Sequence, residues 1–123
     1  SYPYVAAGRS NLGVCDLLQG KPEAALERFR AALAEDPTWV PARYGEAVAL
    51  KLTGQVEAAE QSARHALELR PSYLAARLLL GSLLRESGHL AEADEVLAPL
   101  VEEGRDPEAL LQALDDRWGV GEM

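Results

Sequence analysis

The sequence predicts an all-α protein, a stack of antiparallel helix hairpins with about seven helices, on two grounds, its composition and its periodicity. Among its 123 residues 48% are apolar, enough for a packed core. Ala, Leu, Glu and Arg dominate while β-branched residues are few, a helix-forming composition. Several columns of residues also recur every 34 positions: Gly20, Gly54 and Gly88; Ala25, Ala59 and Ala93; Leu33, Leu67 and Val101; Pro3, Pro37 and Pro71. Finally, the segments between these markers carry apolar residues at i, i+3, i+4 and i+7, the pattern of amphipathic helices.

Each repeating unit divides at its glycine. The first helix of unit one is expected at 5–19 and the second at 22–35, with Gly20 supplying the left-handed residue that turns the chain. Unit two follows as 39–52 and 56–69 around Gly54, and unit three as 73–86 and 90–103 around Gly88. Pro37 and Pro71 close the second helices, because proline cannot donate the next backbone hydrogen bond. Pro-x-aromatic therefore marks each seam, as Pro37–Trp39 and Pro71–Tyr73. The last unit decays. Pro99 is expected to kink its helix or begin a new segment, Arg105 stands where proline is due, and Asp106 with Pro107 caps a final helix at 107–118. That helix reads as a lid over the last hairpin, with Trp118 packing back on it.

Small residues at Gly13, Ala47 and Gly81, opposite Ala25, Ala59 and Ala93, would let paired helices approach closely. Leu12, Leu80, Phe29 and Leu97 would fill the core beside them. The whole chain forms one domain, with repeats at about 6–39, 40–73 and 74–105 and the capping helix at about 107–118.

These residues resemble the tetratricopeptide repeat family over about 3–105. The stretch NLGVCDLLQGKPEAALERFRAALAEDP (11–37) carries Leu12, Gly13, Ala25, Phe29, Ala32 and Pro37 in the signature places. Unit two keeps Ala47, Ala59, Ala66 and Pro71, and unit three keeps Leu80, Gly81, Ala93 and Leu97. The resemblance implies a right-handed superhelical stack, an α-solenoid, whose first helices line a concave face where peptides or helices bind. The chain departs from the pattern at Arg9, Arg43 and Arg77, which replace an early Trp, at Asp16 in a Tyr place and at Glu46 in a Leu place. Acids at half-buried positions need partners. Arg43 and Glu46 lie three apart and can pair, so structural ion pairs are expected; the alternative is an anion site built from the arginines.

The concave stripe is expected to hold Ser10, Val14 and Leu17 from unit one, Tyr44, Val48 and Lys51 from unit two, and Leu78, Ser82 and Arg85 from unit three, each trio at i, i+4, i+7. The resulting groove is apolar with a basic edge at Lys51 and Arg85, suited to a protein or peptide partner with apolar anchors and an acidic residue. Family members that bind chaperone tails hold the terminal carboxylate with Lys, Asn and Arg. Ser10, Val14 and Val48 do not supply the expected Lys and Asn.

Other classes are disfavoured. A net charge of −8 repels nucleic acid, and no apolar run is long enough for membrane insertion. His65 and His89 lack ligand spacing, Cys15 reads as an inert buried thiol, and no strand precedes a phosphate loop. No catalytic group, metal or cofactor is implied, and the expected function is a non-catalytic interaction module. Two alternatives stand beside it: a scaffold that self-associates as a homo-oligomer, and a helper module of a larger enzyme. A single cysteine suits a cytoplasmic setting, and ten Arg against two Lys suits a GC-rich bacterial coding sequence. The chain opens on Ser1 and its only Met is Met123, so it reads as an excised piece, with Tyr2, Tyr4 and Val5 as the remains of an earlier seam and an exposed apolar edge.

Overall fold

A computed structural model describes residues 4–118. They form seven helices and no strand: α1 (Val5–Leu18), α2 (Pro22–Glu35), α3 (Val40–Leu52), α4 (Val56–Leu69), α5 (Leu74–Glu86), α6 (Leu90–Glu102) and α7 (Pro107–Trp118). No helix among them is long and apolar enough to cross a membrane. Helices α1/α2, α3/α4 and α5/α6 pair as hairpins, and α3 and α5 each pack on the second helix of the hairpin before. Trp39 and Tyr73 cap α3 and α5 from outside, so those helices start one residue later than the sequence suggests.

The hairpin turns have one construction. Gly20, Gly54 and Gly88 take φ of 75°, 85° and 83°, the left-handed region where a side chain is strained. Two backbone bonds close each turn, as Gly20 N–H donates to Leu17 O (3.0 Å) and Lys21 N–H to Asp16 O (2.8 Å). This double closure satisfies carbonyls left open at the helix end. The seams are built differently: Asp36 and Arg70 are extended at φ −144° and −146°, and Trp39 and Tyr73 donate back to them at 3.1 and 3.0 Å.

The third seam breaks this rule. Gly104, in register with Asp36 and Arg70, has φ 78° and closes α6 with the glycine turn of the hairpins (Gly104 N–H to Val101 O, 3.0 Å; Arg105 N–H to Leu100 O, 2.9 Å). Four residues, rather than the three of a hairpin turn, separate α6 from α7, and α7 does not pair with α6 as a hairpin partner. It packs mainly on α5 and only slightly on α6, leaving Val101 60% exposed. Pro99 starts no new segment; α6 runs through it, held down on either side by buried Leu97 and Leu100.

The core follows the 34-residue columns, with one systematic exception. Phe29, Leu80 and Leu97 are buried as expected, but Leu12 is 49% exposed and Cys15 is exposed as well. Their register partners Glu46 and Leu80, and Ala49 and Leu83, are buried. Those positions face the preceding hairpin, and no hairpin precedes α1 among the described residues. Cys15 is thus not a buried thiol, and Leu12 is not core.

Buried Glu46 accepts from Arg43 Nη1 (3.2 Å), Arg30 Nε (3.4 Å) and Ser62 Oγ (2.9 Å), joining α2, α3 and α4. Asp16 pairs with Arg28 (2.6 Å), and Arg43 and Arg77 donate to the seam carbonyls of Pro37 (3.4 Å) and Pro71 (2.9 Å). Arg43 and Arg77 are thus engaged at the seams, and Arg9 pairs with Glu35 of α2 at 3.8 Å. Glu46→Ala should cost about 1–2 kcal/mol in urea unfolding, discounted because the Arg30 side chain is 57% exposed. Glu46→Leu should recover most of that loss, since apolar packing can replace a buried ion pair. Equal stability of the Ala variant and the parent would show that the network contributes nothing.

Candidate functional site

Helices α1, α3, α5 and α7 converge on one site. Between them is an open cavity of about 430 Å3 lined by Val14 and Leu17 of α1, Tyr44 of α3, Leu74 and Leu78 of α5, and Leu110, Leu114 and Trp118 of α7. Its wall is overwhelmingly apolar, with the Arg117 side chain at its margin. The guanidinium of Arg117 sits 5.0 Å from the Trp118 ring centre.

Tyr44 contributes to the wall beside two other aromatics. Its ring lies 5.9 Å from that of Tyr73 and 6.5 Å from that of Trp118, tilted in both cases by about 50°, as aromatic quadrupoles prefer. Trp118 Nε1 donates to Tyr44 Oη at 2.9 Å. Burial pushes the Tyr44 phenol up to about 12, against the smaller downward pull of the Trp118 hydrogen bond. Tyr73 is raised by its own burial. Trp118 is expected on the last hairpin; its indole also reaches Tyr44 of the second repeat, as α7 packs mainly on α5.

The expected stripe separates into three groups. Val14, Leu17, Tyr44 and Leu78 line the cavity together. Ser10 and Val48 are buried and do not line it; Leu17, Tyr44 and Leu78 are themselves buried at 6%, 9% and 5% exposure. Lys51, Ser82 and Arg85 lie toward the other end of the stripe, where Lys51 pairs with Glu86 (3.3 Å) and Arg85 with Glu108 of α7 (2.8 Å). The hydrogen bond from Arg85 holds Glu108 below the usual carboxylate range, and the same bond raises Arg85. The basic edge is therefore already engaged by acids of the chain itself.

Sequence reasoning missed Tyr73, Leu74, Leu110, Leu114 and Trp118 as wall residues. Tyr73 and Leu74 belong to the seam, and the α7 residues follow the last seam, where Gly104 stands in a column otherwise holding Asp36 and Arg70. No group of three His, Cys, Asp or Glu side chains suited to a metal exists among the described residues. His65 and His89 are exposed, as expected. At the open edge of α1 Tyr4 is exposed, as expected, while Tyr2 lies outside the described residues.

The chain matches the tetratricopeptide repeat family over residues 16–63 and 54–114. Among solved structures, the second TPR of Spaghetti (RPAP3) bound to the HSP90 peptide SRMEEVD is similar with a TM-score of 0.75 and 25% identity, over 79% of this chain and 90% of that one. The NMR structure of the first TPR domain of human RPAP3 is similar with a TM-score of 0.81 and 21% identity, over 98% of each chain. No curated protein is matched at a significant level.

Proposed function

The chain belongs to the tetratricopeptide repeat family, and we propose from this that it is a non-catalytic protein-interaction module that takes apolar anchors of a peptide or helix on its concave face. The open apolar cavity around Tyr44 carries the reading. A cavity of this size accepts one or two large side chains, and aromatic groups in its wall are the usual source of binding energy. The similar RPAP3 structure with a bound peptide supports a peptide as the class of partner. An acidic residue of the partner would compete with Glu86 and Glu108 for Lys51 and Arg85. The exposed thiol of Cys15 suits a reducing compartment such as the cytoplasm.

Peptides selected on the full chain from a displayed random library test this. Selected binders are expected to carry apolar residues at helical spacing and to lose about tenfold to hundredfold affinity with Tyr44→Ala, about 1–3 kcal/mol. Changes at His65 and Glu68, on α4 away from the groove, should do little. Binding that survives Tyr44→Ala but fails with the α4 changes would place function on the other face. The peptide SRMEEVD serves as a second ligand: tighter binding of it than of the selected helices would favour carboxylate recognition and overturn the apolar-anchor reading.

A further inference from the structure

Helix α7 is in register to be the first helix of a fourth repeat, since Pro107 lies 34 residues after Tyr73. In that role it should press on α6 as α3 presses on α2 and α5 on α4. It does not: it packs mainly on α5, where it helps to line the cavity, and Val101 on α6 stays exposed. Leu110, Leu114 and Trp118, at i, i+4 and i+8, form the side of α7 that enters the cavity wall. Leu114 is buried there, and Trp118 holds the Tyr44 hydroxyl. At the other end of the helix, Arg85 holds Glu108 at 2.8 Å.

We infer that α7 is a built-in occupant of the concave groove, and that the partner which displaces it is an amphipathic helix with apolar residues at i and i+4 and an aromatic at i+8. This rests on the groove reading above. Three features fit a helix that can leave. Its two polar fastenings are one exposed ion pair and one hydrogen bond, both of modest strength. Its packing is mainly on α5, with slight contact on α6, so it lifts by breaking one main helix–helix contact rather than two. Its 12 residues are also too few for a stable isolated helix, so release and unwinding are one event. A tethered occupant acts at roughly millimolar effective concentration, so an outside helix must match its pattern to displace it. Binding would be weak until a partner of the right spacing arrives, which confers selectivity on an otherwise general apolar groove.

Two measurements on the full chain test this. Hydrogen exchange of the unmodified chain should show α7 amides exchanging at least tenfold faster than those of α5, since α7 opens without unfolding the hairpins. A labelled synthetic peptide of residues 105–118 should bind the chain carrying Glu108→Ala and Trp118→Ala at least tenfold more tightly than the unmodified chain. Adding Tyr44→Ala to that unfastened chain should weaken the peptide at least tenfold. Exchange of α7 as slow as that of α5, or equal peptide affinity for fastened and unfastened chains, overturns the displaceable helix and leaves the groove reading standing. Peptide binding indifferent to Tyr44→Ala overturns the groove reading itself, and with it the seat assigned to α7.

Discussion

Phe29→Ala is expected to cost about 3–5 kcal/mol, since Phe29 is the largest fully buried side chain among the described residues. The Phe29 ring is fully buried and is the point where α1, α2 and α3 meet. Two glycines make room for it. A Cβ built at Gly13 would stand 2.7 Å from Phe29 Cε1, and one built at Gly45 would meet the same ring closer still. Gly45→Ala should therefore cost about 1–3 kcal/mol by overpacking, although its helix propensity improves. The double change Phe29→Leu with Gly45→Ala should recover part of both losses, because neighbours that share one space are not additive. In a stack whose stability is summed over adjacent hairpins, the damage should appear first in α1 and α2. Urea melts of the single and double variants, with hydrogen exchange by helix, check this. A Gly45→Ala chain as stable as the parent would show that the ring yields and the packing is not tight.

The same contact shows what the sequence could and could not disclose. The size complementarity within a hairpin was legible, since Gly13 and Gly81 stand in one column with Phe29 and Leu97 opposite. Gly45 was not, because its column holds Asn11 and Leu79 and has no common size. The seam trades volumes instead: Phe29 with Gly45 in the first, and register-equivalent Ala63 and Leu79, both buried, in the second. Periodicity reports what repeats and is silent on such compensation.

Helix ends were legible because their causes are local. A left-handed glycine or a seam proline acts on its own backbone, and the bounds of α2, α4 and α7 follow from those residues. Burial depends on neighbours, so Leu12 and Cys15 were misjudged on a helix that no hairpin precedes among the described residues. The concave stripe was half legible for the same reason. Spacing placed Tyr44 and Leu78 on one face, but only the path of α7 decides which members are walled in and which are paired. That path begins at the four-residue connection 103–106, one residue longer than a hairpin turn.

Alkaline solution should destabilise the fold through Tyr44, and the direction follows from its burial. The native phenol is raised to about 12, whereas in the unfolded chain it titrates near the ordinary value of about 10. Between those values the unfolded chain has released its proton and the folded chain has not, so folding binds a proton and stability falls as pH rises. The contribution is fully present below about pH 10 and is lost by about pH 12, a decline of about 1.4 kcal/mol per unit and about 2–3 kcal/mol in all. Tyr44→Phe removes this decline, while at neutral pH it also removes the acceptor for Trp118 Nε1 and should cost about 0.5–1.5 kcal/mol. Plotted against pH, the two stabilities should cross: the parent leads near pH 8 and trails above about pH 11. Tyr73 is raised by burial in both proteins, so the difference between the curves isolates Tyr44. Trp118→Ala should uncover the phenol and draw its titration back toward the ordinary range, because α7 supplies part of the burial. Parallel curves for the parent and Tyr44→Phe from pH 8 to 12 would mean that the phenol is wet, and that α7 does not rest on it.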